Sequence, residues 1–428
     1  MNIKPYYTSV DLIEAVKRKI MFPVSQSTFT DEDILKFANE EMFISQVPTI
    51  LMHHEEFFVT YKVVPLKPNT SRYPIPSRAI GMKLRDLMWR DTNGTLYEMT
   101  RINADNKTQY QRGLGVNEAI HKFYLEGNDV VLIPPVSSSI SGSLVMFFFI
   151  RPNQLVLNDR AAFIKGFEKT ITINNAALNP GDTIVIGGYI FKATNSAIPA
   201  SNEFQIGTTS VDTANNIVNL LNNFSSLDIT ANNNGGSSNI ITISFSDLSI
   251  AMFQNSPYFE TEIASNIFSN NSSAISIPDN ITIVFDNIPP HIGNGSVIDF
   301  LETEGGHKIK GYDVKIGQNA ISGNKITFNL QQVPISLVVG DYICLANECI
   351  IPQIPSDLHN ALAERTCARI LAAIGDQQGL QVNMAKIAEI NQSQSYLIDN
   401  RVEGAPVKIN TKNSPLYWNK RITRRRLF

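Results

Sequence analysis

IPSDLHNALAERTCARILAAIGDQQGLQVNMAKIAEINQSQSYLIDNRVE, residues 354–403, is the stretch from which the fold is read. Pro355 fixes the entry, and Ser356 is placed to cap a first helix. Leu358, Ala361, Leu362, Ala368, Leu371 and Ala372 then recur at helical spacing on one face. Gly375 supplies a left-handed stop. Asp376, Gln377, Gln378 and Gly379 make a short turn, after which Leu380, Met384, Ile387 and Ala388 open a second amphipathic helix. Helices joined so closely run roughly antiparallel. Lys386, Glu389 and the polar positions around Gln392 mark the wet side.

Such a hairpin leaves an apolar stripe to cover, and the other end of the chain offers two partners. Thr8 or Ser9 caps a helix whose face is Leu12, Ile13, Val16 and Ile20. Thr30 caps a second, over residues 31–42, with Asp31, Glu32 and Asp33 suited to the helix dipole. The expected fold class is α+β. The N- and C-terminal helices form one helical bundle, and an antiparallel β unit and two inserted β-rich modules lie between them. The expected divisions are residues 1–160 for the N-terminal helices and β unit, 161–275 for an inserted α+β module, and 276–353 for a sandwich or barrel-like module. Residues 354–403 are then the hairpin that completes the bundle, and 404–428 an extended docking tail.

The middle of the chain reads as short strands punctuated by turns. Val47-Pro48 interrupts the second helix, and residues 49–57 resume as a helical segment. Strands are expected at 58–64, 80–89, 96–99, 122–125, 130–133 and 143–149, with Thr92-Asn93-Gly94 as a hairpin turn. Residues 73–78 carry two prolines and read as extended chain, and 103–111 as one short helix. From about Gly166 the composition shifts to Asn, Ser, Thr and Ile. A strand–strand–helix–strand unit follows, with strands at 170–173, 183–186, 189–191 and 240–245 and a helix opened by Asp212. Strands at 281–285, 296–301, 308–314, 325–329 and 341–346 are separated by glycine turns, the pattern of a sandwich or small barrel.

The segments TFTDEDILKFANEEM, VPTILMHHEEF, YPIPSRAIGMKLRDL, IPSDLHNALAERTCARILAAIGDQQGL and LIDNRVEGAPVKI, in this order, resemble the head-to-tail adaptor (connector ring) proteins of tailed bacteriophages. The likeness is to rings below the portal in short-tailed and crAss-like phages, and it covers residues 1–160 and 354–428. Its motifs concern packing and turns, not catalysis. The resemblance implies a dodecameric ring around a DNA-conducting channel, between portal and tail. Expected partners are the portal protein, neighbouring copies in the ring and further tail or fibre proteins, with transient contact to passing double-stranded DNA. The expected location is the virion head–tail junction, reached from the host cytoplasm during assembly.

Composition agrees with a structural role. The 428 residues carry a net charge of −3, which gives no global pull toward nucleic acid or an anionic membrane. A channel for DNA in transit should not grip phosphates. Residues 1–10 lack a signal-peptide core, and the longest apolar run, 144–150, is far short of the ~20 residues of a membrane helix. No membrane partner is expected. The three cysteines make no disulfide framework and read as buried thiols.

No phosphate loop, nucleophile elbow or metal-binding helix motif is present, and no catalytic residue, metal or cofactor is assigned. His53-His54-Glu55-Glu56 is the most metal-like cluster, but adjacent helical residues face different ways. His307 is a lone histidine, solvated or packed. Asp299, Glu302 and Glu304 lack calcium-loop spacing and read as a wet strand edge. Lys83 and Arg85, with Arg72, Arg78 and Arg90 nearby, make either a rim toward acidic neighbours or a solvated sheet face. The tail is different: Tyr417, Trp418, Leu427 and Phe428 alternate with Arg421, Arg424, Arg425 and Arg426. Aromatic and arginine residues together are interface anchors, and such a segment orders on a partner; contact with a nucleic-acid backbone and a plain solvated end are the alternative readings. In the resembling families a C-terminal extension docks on the portal, which makes these eight the candidate docking residues. The alternative function is a glycan- or receptor-binding fibre or adhesin, favoured by the Asn/Thr-rich β segments.

Overall fold

The computed structural model describes residues 7–20, 29–103, 105, 122–133, 135–136, 141–186, 189–246, 248, 268–334 and 336–398. These residues form a mixed α and β structure whose sheets are mainly antiparallel. The helices are α1 (Ser9–Ile20), α2 (Asp31–Glu41), α3 (Val47–His53), α4 (Ser210–Asn223), α5 (His359–Ile374) and α6 (Gln377–Ile398).

Local chemistry explains where α1 and α2 begin. The Thr8 backbone N–H and hydroxyl both donate to Asp11 Oδ2, at 2.8 and 2.7 Å. Thr30 treats Asp33 in the same way, at 3.1 and 2.7 Å. Each arrangement satisfies a donor that a helix start would leave orphaned. Val47-Pro48 does not interrupt the second helix. One π-helical turn, Met42–Gln46, joins α2 to α3. The wider turn makes room where a proline ring would collide with the preceding turn and where its missing N–H breaks the ladder.

α1, α2 and α5 bury one set of side chains together, with Leu12, Val16, Ile34, Leu362 and Ile370 all fully enclosed. Polar contacts link the same helices. Lys19 pairs with Glu364, and Arg369 Nε lies 2.5 Å from Glu41 Oε1. Gly375 ends α5 at φ +83°, as its spacing predicts. The start of α5 differs from expectation. Ser356 does not cap it; a 3₁₀ turn, Ser356–Leu358, precedes His359. α6 begins at Gln377, and its inward line is Leu380, Asn383 and Ile387, whereas Met384 and Ala388 are exposed, as is Ala372. The polar Asn383 takes an inward place because Glu364 accepts its amide at 3.3 Å, which apolar periodicity alone does not reveal.

A four-stranded antiparallel sheet follows, in the order Val59–Pro65, Ser143–Ile150, Ala79–Arg90, Leu96–Glu98. Its hairpin turn places Gly94 at φ +87°, and Asp91 Oδ1 accepts from the N–H groups of Asn93 and Thr95. Arg72–Pro74 is an edge strand on Asp129–Ile133, the position a sheet tolerates for proline. All but residues 103 and 105 of the short helix expected at 103–111 fall outside the described residues, as do residues 187–188 between two of the expected strands.

The strand Ala162–Ile173 organises the rest. It pairs with Ile240–Phe245, Ile275–Ser276, Asn280–Phe285 and Tyr342–Leu345 within one ten-stranded sheet. Its buried positions are Ala162 and Ile164, then Phe167, Lys169, Ile171 and Ile173. The alternation slips by one residue around Gly166, where the register against Val284 and Phe285 shifts. A bulge of this kind returns the same face to the core. One buried cluster, from Ala162 to Ile343, spans the chain on both sides of residue 275.

Candidate functional site

The eight candidate docking residues, Tyr417, Trp418, Arg421, Arg424, Arg425, Arg426, Leu427 and Phe428, lie outside the described residues. Among the described residues no group of three or more His, Cys, Asp or Glu is arranged to hold a metal. His53 ends α3, and the His54 ring packs against Phe57 at 6.0 Å. Cys344, Cys349 and Cys367 are free and buried, and burial pushes their thiols upward, that of Cys367 to about 12. No described helix is long and apolar enough to cross a membrane.

Two arrangements bring together residues that are far apart in the chain. The first corrects the reading of Asp299 as part of a wet edge and of Arg78 as a surface charge. Arg78 is 5% exposed and Asp299 not at all, and they form an ion pair. Arg78 also donates to Asn347 and, at 3.2 Å, to Asn153 Oδ1. Asp299 Oδ2 accepts from Asn153 Nδ2 at 2.7 Å and from the Asn347 N–H at 3.0 Å, while Oδ1 accepts from the Asp313 N–H at 3.0 Å. The Tyr312 ring lies beneath the guanidinium, 6.0 Å away. Desolvating both charges is expensive, and these added hydrogen bonds offset it. A carboxylate whose lone pairs are taken in this way is suited to holding elements together, not to moving protons. Glu302 and Glu304 stand apart from it, Glu302 accepting from the Lys308 N–H and Glu304 exposed.

The second arrangement centres on His307, which is buried at φ +52°. Its ring stacks on His359 with centroids 5.5 Å apart, and His359 packs on Tyr7 at 5.2 Å. His359 Nε2 lies 3.2 Å from the carbonyl oxygens of both Pro352 and Ile354, so this nitrogen carries the proton and donates. Beside the pair is a cleft of about 470 Å³, whose lining includes His307, Thr60, Tyr61, Lys308 and Lys310. Gln353 lines it, and among the described residues its Nε2 has no hydrogen-bond partner. Lys310 is held by Asp341 at 2.9 Å.

Burial, and next the neighbouring His307, lower the His359 pKa from 6.5 to about 4. Between those values the unfolded chain binds a proton that the folded chain refuses, so stability falls as the pH drops through this window. The full shift corresponds to about 3 kcal/mol. Urea unfolding at pH 7 and pH 4.5 should show the loss, and His359→Gln should remove its share. A variant with the wild-type pH slope would contradict the assignment.

The His307–His359 pair, the Arg78–Asp299 node and the strand edges at the cleft were not read as sites from the sequence. The separation of Arg78 and Asp299 by 221 residues leaves no local signature. No protein-family model matches the chain, and no curated protein matches it either.

Proposed function

We propose that the chain is a non-enzymatic structural subunit of a phage head-to-tail connector ring. In this reading α1, α2, α5 and α6 form the helical bundle, residues 404–428 dock on the portal, and the β segments face tail or fibre components. The observation that carries the reading is the shared burial of Leu12, Ile34 and Leu362, which draws the two resembling ends of the chain into one body. The occupied lone pairs of Asp299 and the buried thiols also favour it, since neither offers a reactive group to solvent.

Deleting residues 414–428 is expected to abolish attachment to portal-filled heads while leaving a folded protein. A pull-down with particles, paired with circular dichroism of the free variant, measures both. Unchanged attachment would sink the docking assignment.

A second reading has one specific support. A groove of about 620 Å³ between α4 and the strand Glu203–Gln205 is lined by Asn216, Asn219 and Asn223 beside Phe224, with the Asn216 and Asn223 amide nitrogens donating to the Gln205 and Asn219 carbonyls. Neutral amides next to an aromatic ring suit a glycan. Solution size separates the two readings: a ring subunit is monomeric or weakly associated alone, whereas a fibre is a stable trimer.

A further inference from the structure

We infer that neighbouring copies of this chain join sheet to sheet, the strand Leu96–Glu98 of one copy lying along the edge strand Val59–Pro65 of the next. The inference rests on the ring reading above and specifies the contact that would close the ring.

Strand parity is the first support. Every neighbouring pair in the four-stranded sheet is antiparallel, so the two strands that are outermost among the described residues run in opposite directions. Rotation about an axis along the strands brings the first strand of one copy beside the last strand of another in antiparallel order. A contact between two different patches of this kind closes into a ring when it is repeated by pure rotation through a whole fraction of a turn. Edge strands carry backbone groups that template a further strand.

The second support is the chemistry of the two edges. Cross-strand partners share a face of the sheet. Lys62 pairs with Met146, Met146 with Leu87, and Trp89, two residues on, with Tyr97, so Lys62 and Tyr97 are on one face. The Tyr97 ring stacks on Trp89 at 5.0 Å and stays 39% exposed, and Lys62 is exposed. An ammonium over such a ring is attracted to it. On the opposite face Val63, 40% exposed, is matched by the half-buried Leu96. A charged residue such as Lys62 discourages indiscriminate pairing at a sheet edge, and here it selects a partner with a place for the cation. The cleft beside Thr60 leaves room at this edge.

The test uses Val63→Cys and Leu96→Cys in one chain, because the three native cysteines are buried and resist oxidation. Assembled particles carrying this variant are oxidised and run on a non-reducing gel. The expected result is a ladder of disulfide-linked chains beyond the dimer, with neither single variant giving one. Lys62→Cys with Tyr97→Cys, on the opposite face, should give the same ladder if the first pair perturbs folding. A long amine cross-linker on wild-type particles separates the two claims. Rings with the cross-linker but no disulfide ladder would overturn the sheet contact and leave the ring reading standing. No oligomer with either would overturn both. A dimer from Val63→Cys alone would mean a two-fold contact of the edge strand with itself, and would also overturn the inference.

Discussion

Replacing Arg78 with alanine is expected to cost about 3–5 kcal/mol of folding stability, the price of stranding a buried carboxylate. Asp299 has no exposed surface, and Asn153, Asn347 and Asp313 would remain aimed at a charge with no counter-ion. The loss should spread across the molecule, because Arg78 immediately precedes the strand Ala79–Arg90 whereas Asp299 lies in Val297–Leu301. Arg78→Lys should recover only part of it, since an ammonium cannot reproduce the planar fork that meets Asp299, Asn153 and Asn347 together. Chemical denaturation of the two variants measures this. An Arg78→Ala midpoint within error of wild type would show that the node contributes nothing to folding.

Leu362→Ala is the second large effect, at about 2–5 kcal/mol for truncating a fully enclosed leucine. Leu12→Ala should cost a similar amount, although it lies at the opposite end of the chain. Both residues belong to one buried cluster with Val16, Ile34 and Ile370, so either cavity should loosen the same helices. Hydrogen exchange reads this directly: each variant should accelerate exchange in both α1 and α5. Acceleration confined to the substituted helix would mean that the two ends open independently.

Local signals accounted for most of the helices and strands. Thr8, Thr30 and Gly375 act within one turn of where they stand, and the turn at Asn93-Gly94 needs no distant partner. Three features escaped for physical reasons. Pro48 reads as a break because the rule for proline assumes an α-helical ladder, and the chain relaxes it with a π turn. Asn383 faces inward because of Glu364, a tertiary contact that apolar spacing does not register. The strand Ala162–Ile173 pairs with both Ile240–Phe245 and Asn280–Phe285, which joins the two middle segments in one sheet, and hydrogen bonding between strands so far apart leaves no mark in composition. The candidate docking site was legible only as composition, aromatic residues interleaved with arginine. The Arg78–Asp299 node left no trace along the chain at all.

Cryo-electron microscopy of the particle that carries this protein is the most direct test of the connector proposal. The expected result is a closed ring of this chain between portal and tail, with density for Trp418 and Arg424–Arg426 against the portal. Finding the chain as a trimer at the fibre tips, or away from the head–tail axis, would contradict it.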